Sequence, residues 1–217
     1  VKTIFSDPDS AWIDIISRFD NDYRMGGWDW LQDGQEFLWP SEKDGRRHLY
    51  RISRDGKKQT LVTVGDYDVM GISLIDEKEN LIYFLASPYN ATQQYLYRCP
   101  LNGKGRAERV TPAGQTGTND YELSPDGHYA VHRFSNYYTA PSAELISLPE
   151  HRKLPGVSGI RMPLAADSAA SPISFFQVKT AEGVTMDGWM QKPDNFDSSK
   201  KYPVLFYVYS EPGAQTV

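Results

Sequence analysis

The stretch QDGQEFLWPSEKDGRRHLYRI, residues 32–52, carries the pattern on which the fold depends. Two short apolar runs, QEFLW (35–39) and HLYRI (48–52), each follow an Asp-Gly dipeptide, and a third run, TLVTV (60–64), follows Asp55-Gly56. Alternating apolar residues between turn-forming residues are typical of antiparallel β-strands. Because Asp-Gly readily supplies the positive φ that two-residue hairpins require, we expect a tightly turned meander here.

The same pattern recurs further along the chain. QEFLW begins at residue 35, NLIYF at 80 and HYAVH at 128, so the runs lie 45 and 48 residues apart. A four-stranded unit of about 40–50 residues is typical of a propeller blade. The spacing predicts about three blades in an open arc; the alternative is a β-sandwich in which the spacing is a coincidence.

The pattern changes after His151. A segment of small and turn-forming residues leads to two predicted strands, Ile173 to Thr180 and Val184 to Lys192, and then to a third, Tyr202 to Tyr209. The third strand is apolar on both faces, which is typical of a sheet covered on both sides, as in α/β proteins. We therefore predict a mainly β chain with two units: part of a propeller in residues 1–165, and the start of an α/β domain in residues 166–217.

Composition excludes several classes of function. The 217 residues carry a net charge of −5 and no basic cluster, which argues against a nucleic-acid partner. No apolar stretch approaches the roughly 20 residues needed to span a bilayer. The single cysteine, Cys99, rules out an internal disulfide, and its alternation with apolar residues predicts a packed thiol. Metal and nucleotide motifs are missing from the sequence, so we expect no cofactor and no metal.

Two linked stretches resemble one enzyme family. Residues 182–217, EGVTMDGWMQKPDNFDSSKKYPVLFYVYSEPGAQTV, look like the opening of the α/β-hydrolase domain in the prolyl oligopeptidase group of serine peptidases. Residues 41–50, SEKDGRRHLY, are similar to a late propeller blade of the dipeptidyl peptidase IV subfamily within that group. The order of the two motifs matches the family, so the resemblance extends over nearly the whole chain.

The resemblance implies a function for the whole protein. Members of this subfamily are serine exopeptidases that release N-terminal dipeptides with proline or alanine in the second position, so the expected partner is a peptide substrate. By the same resemblance, the chain is an internal fragment of an eight-bladed propeller enzyme whose hydrolase domain continues past Val217. Related bacterial enzymes are exported to the periplasm or secreted, and many form homodimers. The resemblance therefore suggests export and a homodimer for the full-length protein.

Tyr209 is the candidate catalytic residue within this chain. In the family, the tyrosine that opens the loop after the third strand donates its hydroxyl to the oxyanion, and that position falls on Tyr209. An un-ionised phenol is a hydrogen-bond donor at neutral pH, which suits that role. The alternative is a strand aromatic that only packs. The loop reads YSEPG where the family usually has YGGPG, so Ser210 and Glu211 put the local backbone path and charge in doubt.

Tyr23 and Arg24 are the candidate substrate-binding residues. They lie in NDYRMGG (21–27), where the family presents an aromatic and an arginine from the propeller toward the cavity. An aromatic face can line an apolar pocket, and a guanidinium can bind a carbonyl or carboxylate. The alternative is a solvated loop.

The nucleophile is expected outside this chain. No G-x-S-x-G motif occurs in the sequence, and the four histidines, which fit no triad, read as structural or surface residues. The fragment by itself is therefore expected to be inactive. Two other functions stay open: an endopeptidase or acylaminoacyl-peptidase of the same family, and a non-catalytic propeller module that binds peptides or proteins.

Overall fold

The computed structural model describes residues 1–10, 29–137, 139–155, 160–161 (backbone only) and 173–208. The first of its antiparallel sheets consists of β1 (Asp29–Leu31), β2 (Glu36–Ser41), β3 (His48–Ser53) and β4 (Gln59–Leu61). Neighbouring strands in the chain are neighbours in the sheet, which makes it a meander. The runs quoted from residues 35, 48 and 60 supply its last three strands.

Two further meanders follow the first. The second sheet contains β5 (Val69–Asp76), β6 (Leu81–Ala86), β7 (Tyr95–Pro100) and β8 (Glu108–Arg109). The third contains β9 (Thr118–Leu123), β10 (Tyr129–Asn136), β11 (Thr139–Ser147) and β12 (Arg152–Lys153), and the short β13 (Ile160–Arg161) also pairs with β11. We call these sheets the first, second and third blades.

The repeat predicted from the sequence is confirmed. The second strands of the three blades begin at Glu36, Leu81 and Tyr129, with the same 45- and 48-residue offsets that separate the sequence runs. The partial propeller of about three blades therefore describes the fold.

The expectation of two-residue hairpins is wrong. The loop between β2 and β3 spans residues 42–47, and the loop between β3 and β4 spans residues 54–58. Gly45 and Gly56 have positive φ values of 90° and 74°, but the aspartates before them do not. Asp55 instead accepts a hydrogen bond from the Lys57 N–H at 3.1 Å. A side chain that caps its own turn permits longer loops, in which only the glycine adopts the left-handed conformation.

Alternation along the strands builds two cores between the blades. On β6, Ile82 and Phe84 point toward the first blade, whereas Tyr83 and Leu85 point toward the third. Because successive side chains of a strand face opposite sides, one strand contributes to both cores. Cys99 lies in the core between the first two blades as a packed thiol, and burial raises its pKa to about 12.

The N-terminal segment covers the outer face of the first blade. The Phe5 ring lies 6.1 Å from that of Phe37 and 5.7 Å from that of Trp39. The Trp39 indole N–H donates to Asp7 Oδ2 at 2.8 Å. This contact shields part of a sheet face that would otherwise be apolar and open.

The C-terminal part matches its prediction only in part. A hairpin forms from β14 (Ile173–Lys179) and β15 (Thr185–Gln191), close to the first two predicted strands. The third predicted strand, Tyr202 to Tyr209, is not observed in its described part. Residues 201–208 pair with no strand, and the Leu205 side chain is 94% exposed. A strand that is apolar on both faces needs sheet neighbours, and the described residues supply none. The boundary predicted at residue 165 lies outside the described ranges.

Candidate functional site

The three sequence-predicted site residues lie outside the described parts of the structure. Tyr23 and Arg24 belong to residues 11–28, and Tyr209 follows the last described residue, Val208. The structure does describe the strand that follows the first pair, and the strands that surround it. Tyr23, Arg24 and Tyr209 therefore stay predictions.

An open cleft lies between the first strands of the first two blades. It has a volume of about 420 Å³ and is lined by β1, by residues 72–75 of β5 and by Glu77. The pairing of β5 with β6 is irregular between Ile72 and Leu74, at the wall of this cleft. Such irregularities bend a strand locally and redirect its side chains.

The cleft combines an aromatic ring, aliphatic side chains and two carboxylates. Trp30 is 41% exposed, and its ring lies 5.4 Å from the guanidinium of Arg54. Asp29 and Glu77 supply the carboxylates, and Glu77 Oε2 accepts the N–H of Gln32 at 2.7 Å. The exposed lining of the cleft is mainly polar, and its two carboxylates suit a basic side chain of an extended peptide. Sequence reasoning missed this cleft, because it depends on two strands about 40 residues apart.

The motif SEKDGRRHLY forms a polar cluster at the turn between β2 and β3. Asp44 Oδ2 accepts hydrogen bonds from His48 Nδ1 and from the Tyr50 hydroxyl, both at 2.8 Å. Burial alone would raise the pKa of Asp44, but these two hydrogen bonds outweigh it and lower the pKa below its usual value. The other ring nitrogen of His48 faces the carbonyl oxygen of Gly65 at 3.0 Å. Both partners of the His48 ring, the Asp44 carboxylate and the Gly65 carbonyl, are hydrogen-bond acceptors.

Two arginines extend this cluster to the segment that leads into the second blade. The buried guanidinium of Arg47 lies 3.0 Å from Glu42 Oε1, and its backbone N–H donates to Asp68 Oδ1 at 2.8 Å. Arg46 pairs with Asp66 at 2.9 Å and with Asp68 at 3.3 Å. The motif SEKDGRRHLY therefore has a structural role: its side chains bind the turn between β2 and β3 to the segment that connects the first two blades.

The four histidines behave as structural or surface residues, as predicted. Within the described residues their side-chain partners are Asp44 and Gly65 for His48, Asp126 for the exposed His128, Asn119 and Glu144 for His132, and Tyr121 for His151. None of these partners is a serine. His132 lies inside β10, and His151 is partly buried against Tyr121.

The described residues contain no metal site and no membrane-spanning helix. In those ranges, no group of three or more His, Cys, Asp or Glu side chains is arranged to hold a metal ion. Nor does any helix there have the length and apolar character that crossing a bilayer requires.

Comparison with known proteins gave consistent matches. Residues 1–141 match the family described as "Dipeptidyl peptidase IV (DPP IV) N-terminal region". A probable dipeptidyl-aminopeptidase B of Coccidioides posadasii is 32% identical over 179 residues, which are 80% of this chain and 19% of that protein. Dipeptidyl peptidase 4 of Trichophyton rubrum is 29% identical over 180 residues, 82% of this chain and 23% of that protein.

A solved structure supports the same fold. The crystal structure of Porphyromonas gingivalis dipeptidyl peptidase 4 superposes with a TM-score of 0.64 at 22% sequence identity. The match covers 85% of this chain and 26% of that chain. At this identity the likeness concerns the fold alone. The chain thus spans about a fifth to a quarter of the length of the proteins it matches.

Proposed function

The chain belongs to the family of the dipeptidyl peptidase IV N-terminal region, and we propose that it forms part of a serine-type dipeptidyl peptidase. The observation that carries this proposal is the family match over residues 1–141, which covers the first two blades and the third blade as far as the start of β11. In the proposed reaction, the full-length protein releases N-terminal dipeptides with proline or alanine second from peptide substrates.

The proposed division of labour follows the two units of the chain. Residues 1–165 would supply closing blades of the propeller, and residues 166–217 the first part of the peptidase domain. The distribution of burial supports this division: among the described residues, the inter-blade cores have no member after Leu148, whereas the hairpin of β14 and β15 is largely exposed. A chain without the nucleophile cannot form an acyl-enzyme, so the 217 residues alone are expected to be inactive.

Tyr23 and Arg24 are proposed to face the substrate from the propeller. They lie five to six residues before β1, which itself lines the cleft with Trp30 and Asp29. An aromatic ring and a guanidinium suit the apolar side chains and the carbonyls of a short peptide.

Tyr209 is proposed to donate a hydrogen bond to the oxyanion of the tetrahedral intermediate. The family resemblance of KKYPVLFYVYSEPG supports this role. A fixed donor aimed at developing negative charge stabilises the transition state more than the bound substrate. The serine nucleophile, its histidine and its aspartate are proposed to lie in other parts of the full-length protein.

The test is a substrate comparison with the full-length protein. Two chromogenic substrates are needed, an X-Pro anilide with a free N-terminus and the same compound with an acetylated N-terminus. We expect release only from the free form, since a dipeptidyl peptidase must recognise the terminal amine. A fluorophosphonate probe should label the active enzyme covalently, as expected for a serine nucleophile.

Each alternative predicts a different result. Faster cleavage of the acetylated substrate would favour an acylaminoacyl-peptidase, and cuts inside a longer peptide would favour an endopeptidase. Binding of peptides with no cleavage of either substrate and no labelling would favour a non-catalytic module, for which the cleft beside Trp30 is the supporting observation.

A further inference from the structure

A histidine cluster lies in the core between the second and third blades. It comprises His132 on β10, Tyr121 on β9, His151 between β11 and β12, and Glu144 on β11. The His132 side chain is fully buried, its ring stacks on Tyr121 at 4.5 Å, and the ring of His151 lies 4.7 Å away. Two imidazoles in one core are unusual, because a free imidazole titrates near physiological pH and burial disfavours its charged form.

Asn119 fixes which nitrogen of His132 carries the proton. The Asn119 amide nitrogen donates to the carbonyls of Gln94, Gln115 and Gly117 at 3.0–3.2 Å, so its oxygen must be the atom that faces His132 Nε2 at 2.9 Å. Since that oxygen only accepts, Nε2 carries the hydrogen. In the neutral ring Nδ1 is then an acceptor, and this buried atom has no hydrogen-bond partner among the described residues.

A carboxylate lies close to the unpartnered nitrogen. Glu144 Oε1 is 3.8 Å from His132 Nδ1, while Glu144 Oε2 is 3.2 Å from Lys153 Nζ on β12. A lone pair beside a carboxylate forms no hydrogen bond, whereas a protonated Nδ1 would donate to it. His132 and Glu144 therefore form no hydrogen bond when the imidazole is neutral, and can form one when Nδ1 is protonated.

A second chain of hydrogen bonds ties His151 to the second blade. The Leu96 N–H donates to Thr111 Oγ1 at 2.8 Å, Thr111 lies 2.9 Å from the Tyr121 hydroxyl, and that hydroxyl lies 2.8 Å from His151 Nε2. Because Leu96 already donates to Thr111, the threonine hydroxyl can donate to Tyr121, which donates to a neutral His151. A protonated His151 would itself be a donor toward the Tyr121 hydroxyl. It could then no longer accept the hydrogen bond from Tyr121 that ends the chain.

The surrounding charges do not favour a second positive group. Lys153 and the Arg109 side chain of β8 are positive, Glu144 is the one carboxylate that faces His132, and Asp120 pairs with Arg133. Burial, and then the neighbouring His151, lower the pKa of His132 to about 4 against the opposing effect of Glu144. Burial also lowers the pKa of His151.

We propose that the histidine cluster is an acid-operated latch that holds the third blade against the second. At neutral pH both imidazoles are uncharged, and the chain from Leu96 to His151 holds the corner between β11 and β12. In acid, His132 takes up a proton on Nδ1 and draws Glu144 away from Lys153. The corner that carries His151 is thereby released from Tyr121, and the third blade loosens.

The direction of the pH dependence follows from the lowered pKa. The pKa of His132 is 6.5 in an unfolded chain and about 4 in the folded protein. Between pH 4 and pH 6.5 the unfolded chain therefore binds more protons than the folded one. Stability of this region is therefore fully present above about pH 6.5 and falls as the pH drops toward 4.

The test is hydrogen exchange of the full-length protein at pH 7 and pH 4, corrected for intrinsic exchange rates. We expect protection of residues 129–153 to fall at least about tenfold more than that of residues 36–53 in the first blade, which serve as the internal reference. In His132→Gln, whose amide can still donate to Asn119 but takes up no proton, the selective loss should disappear. His128→Gln removes an exposed histidine and should behave like the wild type.

Two results would overturn the latch: an equal loss in both regions of the wild type, or a selective loss that persists in His132→Gln. If His132→Gln lacks native protection at pH 7, His151→Gln serves instead, since it removes one of the two titrating rings. A selective loss in His151→Gln smaller than in the wild type supports the latch, and an unchanged loss contradicts it. Exchange is measured without substrate, so the result does not depend on the proposed peptidase activity.

Discussion

Asp44 shows how one side chain can determine the local structure of a whole turn. It accepts hydrogen bonds from both His48 and Tyr50, and its pKa is lowered by them despite burial. His48 in turn reaches Gly65 in the segment that leads to the second blade. The carboxylate therefore connects the turn, a strand and the inter-blade connection.

Replacing Asp44 with asparagine should destabilise the protein measurably. The substitution keeps the shape but removes the negative charge that accepts hydrogen bonds from His48 and Tyr50, and hydrogen bonds to charged groups typically contribute about 1.5–3 kcal/mol. We expect a loss of this size in the free energy of unfolding, measured by urea denaturation at pH 7. Asp66→Asn is the matched control, because that carboxylate is 91% exposed and its pair with Arg46 should contribute less than about 1 kcal/mol. Equal losses in the two variants would contradict the role of Asp44.

Replacing Tyr209 with phenylalanine should reduce turnover of the full-length enzyme. Loss of one oxyanion donor typically lowers kcat about 10²–10³-fold, because the hydrogen bond matters mainly in the transition state. We expect KM for the X-Pro substrate to change little. Tyr207→Phe, two residues earlier in the same run, is the control and should keep near-normal kcat. A Tyr209→Phe enzyme with wild-type kcat would remove this tyrosine from the mechanism.

At the scale of elements, glycines decide how closely neighbouring blades approach. Gly103 has a φ of +73°, and a Cβ built on it would lie 2.4 Å from the carbonyl oxygen of Leu61 in β4. The turn after β7 therefore lies directly against the first blade. Gly45 also has a positive φ of +90°, but nothing lies within 4 Å of a Cβ at that position.

The two glycines offer a matched pair of variants. Gly45→Ala should lower the free energy of unfolding by about 1–2 kcal/mol, the usual strain of an L-residue in the left-handed region. Gly103→Ala adds a backbone clash to that strain, so we expect it to lose at least about 1 kcal/mol more. Urea denaturation of the two variants measures the difference directly. Losses of the same size would mean that the turn can move away from β4 without penalty.

For the molecule as a whole, the C-terminal hairpin presents apolar side chains to solvent. Phe175 and Trp189 face each other across β14 and β15 and are 54% and 55% exposed, and the five residues from Val204 to Val208 are at least 72% exposed. Exposed apolar side chains in such number mark an interaction surface or promote association.

The 217-residue chain expressed alone should therefore self-associate through this surface. Replacing both Phe175 and Trp189 with serine removes two side chains worth about 1.5–3 kcal/mol each when buried, so association should weaken at least about tenfold. Sedimentation velocity over a concentration series measures this change. Exchanging the polar cross-strand pair Gln177 and Asp187 is the control and should leave association as it was. A wild-type chain that stays monomeric throughout would contradict the prediction.

The sequence predicted the repeating strands well and the turns poorly. Alternation in QEFLW, NLIYF and HYAVH located the start of the second strand of each blade to within one residue, because the side-chain period of two is a local property of a half-buried strand. The turns at Asp44-Gly45 and Asp55-Gly56 came out longer than expected: the Asp55 carboxylate accepts the Lys57 N–H, and neither aspartate enters the left-handed region, whereas Asp33 does. The candidate residues Tyr23, Arg24 and Tyr209 came from family resemblance, and they lie outside the described residues.

By itself, the sequence determined the blade repeat, the packed Cys99 and the family, all of which depend on short runs of neighbouring residues. Only the tertiary structure decided that Trp30 and Glu77 share a cleft, and that His132 and His151 meet in one core. It also decided that residues 201–208 form no strand within the described chain. The physical reason is that burial, charge pairing and sheet partnership arise between segments distant in the chain, whereas periodicity is set by adjacent residues.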